Sequence, residues 1–180
     1  QLNPGADTRT QPKVLIFVMG ENRWREESEW PLARTVYTPY FLGSTQGANS
    51  LAGDGTLIPN RTTTGQEADV FIYDPKHPVP TAGGAMLGDR SGMQLQNTIE
   101  SRQDVLVYST PVLEKNLEVT GPIKAILYVK TDAPSTDFTA KLVDVHPDGS
   151  AYNLSDGIVR RRYAQSQDQM HAPQRIEIDL

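Results

Sequence analysis

Apolar residues in this chain come in short runs, cut at brief intervals by glycine, proline and acidic turns, and none keeps a helical period. The first run, Val14-Leu15-Ile16-Phe17-Val18-Met19, is rich in β-branched residues and closes at Gly20. That is the pattern of a strand buried on both faces. A charged loop, Glu21 to Pro31, follows and holds both tryptophans of the protein, Trp24 and Trp30. Large aromatics in a loop are there to pack against something, and two partners remain open: the domain's own core, or a neighbouring domain.

Further along, Thr35 to Leu42 favours β structure, with Pro39 demoting it to an edge or interrupted strand. Ala52-Gly53-Asp54-Gly55 is a tight-turn signal before Thr56-Leu57-Ile58, and Ala68 to Tyr73 reads as a strand stopped by Asp74-Pro75. From His77 to Arg102 the pattern is irregular, and loops that long in compact domains are functional or mobile. Asp104 to Thr110, Leu117 to Thr120 and Ile123 to Thr131 resume as strands. Phe138 to Val145 ends at a turn, Pro147-Asp148-Gly149, with Ala151 to Leu154 and Gly157 to Tyr163 as its return strands. Arg175 to Leu180 alternates Ile176, Ile178 and Leu180, a strand with no closing turn and no partner after it. About nine strand candidates, closely spaced turns and no amphipathic helix predict an all-β sandwich. No fixed-period repeat points to a propeller or solenoid.

Composition narrows the partners more than the fold. At 180 residues the chain is long enough to bury a real core. Lys and Arg number 17 against 22 Asp and Glu, a net charge of -5, which gives no electrostatic reason to expect nucleic acid or an anionic membrane. Without cysteine there is neither a disulfide framework nor a thiolate metal site. No apolar segment is long enough to span a bilayer as a helix. Gln1 to Pro12 is polar and reads as a linker or exposed leading segment.

Candidate chemistry is sparse. There is no G-x-S-x-G elbow, H-E-x-x-H, S-x-x-K, P-loop or dinucleotide-binding glycine fingerprint. His77, His146 and His171 sit in or beside proline-containing turns, which favours surface turn histidines over a triad or metal role. Asp144, Asp148 and Asp156 bracket a hairpin without calcium-loop spacing and read as turn formers. Arg160, Arg161 and Arg162 alternate across a strand and cannot form one patch. Asn60 and Asn153 open glycosylation sequons that matter only in a eukaryotic secretory chain. No metal and no cofactor is expected.

Four segments in order, VLIFVMGENRWREESEWPLARTVYTPYFL, YDPKHPVPTAGG, SRQDVLVYST and STDFTAKLVDVHPDGSAYNLSDGIVRRRY, resemble one family. It is the C-terminal domain of X-Pro dipeptidyl-peptidase and of the CocE/NonD hydrolases, a group that includes cocaine esterases and glutaryl-7-aminocephalosporanic acid acylases. The likeness runs from about Lys13 to Leu180. It implies a jelly-roll β-sandwich, galactose-binding-domain-like, over residues 13–180. In such enzymes this domain follows an α/β-hydrolase catalytic domain and a helical cap, which would be its partners and which carry the Ser, Asp and His of the triad. No residue of this chain inherits a catalytic role, in line with the sparse motifs.

What the resemblance implies for this domain is shape. It packs on the hydrolase and cap domains, and one of its loops helps wall the substrate cleft. The matching loop here is Gly83-Gly84-Ala85-Met86-Leu87-Gly88-Asp89, with Met86 and Leu87 as its apolar contacts. The alternative is that these two cover the domain's own core. The loop carrying Asn22, Trp24 and Trp30 would be packing, or part of a domain interface. Two departures from the family stand out. Gln96 is kept ahead of Glu100, Arg102 and Asp104, but Leu95 replaces the usual Asp. The family also runs on past the strand matching Arg175 to Leu180, so a fragment lacking its last strands is expected. Two other functions stay open. A carbohydrate-binding jelly roll would need a row of exposed aromatics, for which Tyr37, Tyr40 and Tyr73 are candidates, although aromatics at 7% favour packing inside. A structural or oligomerisation module is the other.

Overall fold

A computed structural model describes residues 13–60, 67–162 and 172–180. The leading segment, His171 and the rest of the first sequon fall outside the described residues. The chain is all-β, with eight strands and one short helix among those residues. It divides into two compact units, Gln1–Tyr37 with Glu118–Pro122, and Thr38–Leu117 with Ile123–Leu180.

The first unit is built on a hairpin of β1 (Val14–Val18) and β2 (Arg23–Glu27), paired antiparallel with Phe17 opposite Trp24. The expectation of a charged loop after β1 is corrected here: Arg23 to Glu27 is its partner strand. Charges at both parities hid it, because Arg25 and Glu27 point to one face and bond each other at 2.8 Å. Asn22 turns the hairpin in the left-handed region, at φ 53°, which Asn tolerates better than most residues. β1 is also not buried on both faces. Val14, Ile16 and Val18 are half-buried, whereas Leu15 and Phe17 are 52% and 45% exposed.

The second unit contains β3 (Phe41–Gly43), β4 (Thr56–Ile58), the helical turn α1 (Asn97–Glu100), β5 (Lys124–Val129), β6 (Ser135–Val145), β7 (Ala151–Arg162) and β8 (Gln174–Asp179). Its strands pair antiparallel as β3-β4, β5-β8 and β6-β7. Period-two alternation sets the core: Ala125, Leu127 and Val129 of β5 face inward, and across from the first two lie Ile178 and Ile176, each 1% exposed. β8 therefore has a partner after all, upstream in β5 rather than beyond it. Gly157 is where β7 meets β8 most closely: a Cβ there would lie 2.0 Å from the Asp179 carbonyl oxygen, so no larger residue fits.

The two return strands expected after the Asp148 turn are one, β7. The Leu154-Ser155-Asp156-Gly157 stretch that looks like a break contains a bulge instead. Leu142 pairs with Ser155 but Val143 pairs with Asn153, leaving Leu154 unmatched. Asp148 forms the turn as expected, its Oδ1 accepting the Ser150 N–H at 2.9 Å.

Three expected strands are absent. Leu117 to Thr120 has no ladder, and Asp104 to Thr110 makes only isolated bridges, Leu106 to Asn49 and Ser109 to Thr56. Ala68 to Tyr73 is tied down by side chains. The Asp69 carboxylate accepts from Ser44 Oγ at 2.6 Å, the Tyr108 hydroxyl at 2.7 Å and the Ala48 N–H at 3.1 Å, and Asn49 Nδ2 donates to the Val70 carbonyl. Burial and the bond to Asp69 push the Tyr108 phenol well above its ordinary range.

Candidate functional site

The irregular segment between Ala82 and Gln96 forms one loop whose base is fixed and whose tip is open. Gly83 and Gly84 enter it with φ of +72° and +88°, a conformation that favours glycine. Gly84 and Gly92 then exchange both backbone bonds, N–H to O at 2.8 and 3.0 Å. At the tip, Met86 is 38% exposed and Leu87 fully exposed. Leu87 does not cover the domain's own core.

Under the base lies a buried cluster of amides. Asn153, 3% exposed, accepts through Oδ1 from the Gln94 N–H at 2.7 Å and from Gln96 Nε2 at 3.1 Å, and donates through Nδ2 to the Gly92 carbonyl at 3.1 Å. Gln96, 1% exposed, also donates to the carbonyls of Ala82 at 3.0 Å and Gln94 at 2.8 Å. Its Oε1 accepts from Lys141 Nζ at 2.9 Å, and the same ammonium reaches the Ala82 carbonyl at 3.2 Å. Local sequence explains the placement. Two-residue alternation puts Asn153 on the buried face of β7 beside Ala151, and residues 94–96 run along β7, with Leu95 bridging Tyr152. That bridge is made by backbone, so Leu in place of the family's Asp leaves it intact. Leu95 itself is 49% exposed.

Further along the chain Arg102 and Asp104 act as a staple, whereas Glu100 Oε2 is buried without a hydrogen-bond partner. Arg102 grips Asp104 with two bonds, 2.7 and 2.6 Å, and donates to the His77 carbonyl at 2.8 Å, fixing the Asp74 to His77 turn. The Arg102 guanidinium holds the Asp104 carboxyl below its usual range. Burial pushes Glu100 up, opposed by the nearby Lys141 charge. An open depression beside this staple is lined by Asn49, Val70, Phe71, Ile72, Arg102, Gln103 and Asp104.

His77 and His146 stay at the surface. His77 is in its turn with Nδ1 2.7 Å from Asp74, which lowers the Asp74 pKa, and His146 lies 3.5 Å from Asp144 at the β6-β7 turn. Among the described residues no group of three or more His, Cys, Asp or Glu is placed to hold a metal. Tyr40 and Tyr73 of the second unit are 36% and 54% exposed and Tyr37 of the first is 66% exposed, so the expectation that these rings pack inside is corrected. Each lies in a segment outside the strand ladders, with no core face to cover it.

In the first unit, Leu15, Phe17, Met19 and Trp24 make up the exposed side of the hairpin. Trp24 is 65% exposed and meets Phe17 edge-on, with centroids 5.4 Å apart; Trp30 is 50% exposed. The opposite side carries ions. Arg25 bonds Glu118 twice, at 3.1 and 2.7 Å, and Glu27 accepts from both Arg25 and Arg34. The Arg25 bonds and the Thr120 hydroxyl draw Glu118 down to about 2.

The resemblance pointed to Met86, Leu87, Asn22, Trp24 and Trp30 as candidates. Sequence reading missed Lys141 and saw Asn153 only as a sequon. The available signal was the Gly83-Gly84 pair, which demands something close against it.

Comparison with known proteins adds the lineage. The family of X-Pro dipeptidyl-peptidase C-terminal non-catalytic domains matches residues 6–177. Cocaine esterase from Rhodococcus sp. (strain MB1 Bresler) is 51% identical over 158 residues, covering 86% of this chain and 27% of that protein. Proteins of Mycobacterium bovis and Mycobacterium tuberculosis carrying the provisional name serine esterase are each 30% identical over 168 residues, 87% of this chain and 24% of theirs. The chain thus spans about a quarter of the length of the curated relatives it matches.

Proposed function

The chain belongs to the family of X-Pro dipeptidyl-peptidase C-terminal non-catalytic domains, and from that premise we propose that it serves as the accessory domain of a serine hydrolase acting on ester or amide bonds. The family match over residues 6–177 carries the reading. The parent's acyl-enzyme chemistry, a serine activated by histidine with an oxyanion hole of backbone N–H groups, belongs to an α/β-hydrolase domain beside a helical cap. This chain supplies shape, as a jelly roll of the galactose-binding type.

Two surfaces do the work. The Gly83 to Asp89 loop walls the substrate cleft with Met86 and Leu87, since pockets are lined mainly by apolar groups. Two adjacent exposed apolar side chains, Met86 and Leu87, at the tip of a loop braced at its base support this role. Leu15, Phe17, Met19 and Trp24 dock on the rest of the same polypeptide, where large aromatics serve as anchors. That occupant is supported by the three-quarters of each relative lying outside the match.

A fluorophosphonate probe tests the assignment. Applied to the full-length polypeptide, it should label a serine outside residues 1–180 and block ester hydrolysis. Labelling of a serine within these residues, or a reading frame that encodes no other domain, overturns it.

A further inference from the structure

We propose that Asn153 and Gln96 are positioning residues that set the pose of the loop from Gly83 to Gly92, and that Lys141 locks them. The proposal rests on the cleft-wall reading only for its consequence in catalysis; the clasp itself stands on geometry. Two neutral amides buried to within a few per cent are costly unless fully bonded, and an apolar pair would fill the space more cheaply. Here the O and N atoms of both carboxamides have partners, and the backbone groups among these partners fall on the two ends of one loop. Ala82 is gripped where the chain enters, and Gly92 and Gln94 where it leaves.

Those bonds matter because the loop holds itself weakly. Its ladder is the Gly84-Gly92 pair alone, followed at the tip by a bond from the Ser91 N–H to the Gly88 carbonyl at 3.1 Å. The fit is mutual. A Cβ at Gly83 would sit 2.5 Å from Asn153 Oδ1, and one at Gly84 would sit 2.7 Å from Asp156 Oδ2. The carboxamide takes the space a side chain at Gly83 would occupy, so Gly83 and Asn153 specify each other, while Gly84 is matched to Asp156. Lys141 adds a charge-assisted bond to each side, on Gln96 Oε1 and on the Ala82 carbonyl. The cluster's effect passes through where Met86 and Leu87 stand.

Peptide-level hydrogen exchange on the full-length enzyme tests the clasp, comparing fragments over residues 82–94 with fragments over β5 and β8. Asn153→Ala should lower protection of the loop base about tenfold while leaving β5 and β8 unchanged. Asn153→Asp keeps the acceptor for the Gln94 N–H but sets a carboxylate oxygen against the Gly92 carbonyl, so protection should fall more at Gly92 than at Gln94. It also serves if the alanine variant fails to fold. Unchanged protection at the loop base, or an equal loss in β5 and β8, overturns the proposal. Leu87→Ala tests the cleft reading separately, since a fully exposed side chain can be removed without loosening the base. It should raise KM for p-nitrophenyl benzoate about threefold. A loop loosened by Asn153→Ala beside an inert Leu87→Ala leaves the clasp standing and removes the cleft wall.

Discussion

Two clusters of side-chain bonds, one in each unit, join segments far apart in sequence, and they do it with opposite physics. On the hairpin, Arg25 reaches Glu118 across 93 positions through a charged network whose outer members are open to water: Glu118 is 45% and Arg34 59% exposed. Beneath the loop, Gln96 reaches Asn153 across 57 positions through buried carboxamides. Exposed ion pairs lie in high dielectric, are screened by salt and contribute little each. Buried amides gain little when satisfied but lose heavily when one partner goes, because the groups left behind have no water to turn to. The hairpin network is therefore an adjustable tie, and the clasp is an all-or-none fixture.

The largest effect should come from the clasp. Asn153→Leu keeps the heavy-atom count but strands the Gln94 N–H in a dry site, and takes one partner each from the Gly92 carbonyl and Gln96 Nε2. A loss of about 2–3 kcal/mol in unfolding free energy is expected, equal at low and high salt, measured by urea denaturation. A loss that fades in high salt would break the contrast at its root.

How much of this was legible in the sequence follows from the same contrast. β5, β6 and β8 were readable because alternate residues are apolar and face one core, as Ile176 and Ile178 show. The family was readable because four separated segments kept their order. β2 was not, since Arg25 and Glu27 are half-buried together as an ion pair and break the apolar code. Ala68 to Tyr73 failed in the other direction. Its residues favour a strand, but Asp69 and Asn49 hold it by side chains, and no β-propensity reports that. β7 was split in error because a bulge and a close-approach glycine carry the residues of a turn. The clasp left no spacing to find. Its members come from three segments, and only the fold brings them together.

An intermediate effect is expected at the exposed side of the hairpin. Trp24→Ala removes an edge contact to Phe17 worth about 1 kcal/mol and otherwise a ring already in water. Unfolding of this chain should hardly change, whereas the full-length enzyme should lose cooperativity between its domains in calorimetry, with kcat unaltered. Loss of kcat at intact docking would turn this face from an interface into a site.

The smallest effect, and the one that sharpens the contrast most, concerns Glu118. Its pKa falls from 4.5 to about 2 because Arg25, and then Thr120, bind the ionised form. A carboxyl depressed on folding stabilises the native state fully above its unfolded pKa, and that share is lost as pH falls through about 4.5 toward 2. Solvent exposure and ionic screening cut the contribution further, since the screening length shrinks from about 10 Å at 0.1 M to about 3 Å at 1 M salt. Wild type should therefore exceed Glu118→Gln slightly at pH 7 in low salt. The two should converge both near pH 2 and at neutral pH in 1 M NaCl. Asn153→Leu should show neither convergence, because no group in its bonds to Gln94, Gln96 and Gly92 ionises. Thermal melts of both variants at two pH values and two salt concentrations check this. If the Asn153 deficit also closes in salt, both clusters are ties of one kind, and the distinction between a tunable hairpin and a fixed loop falls.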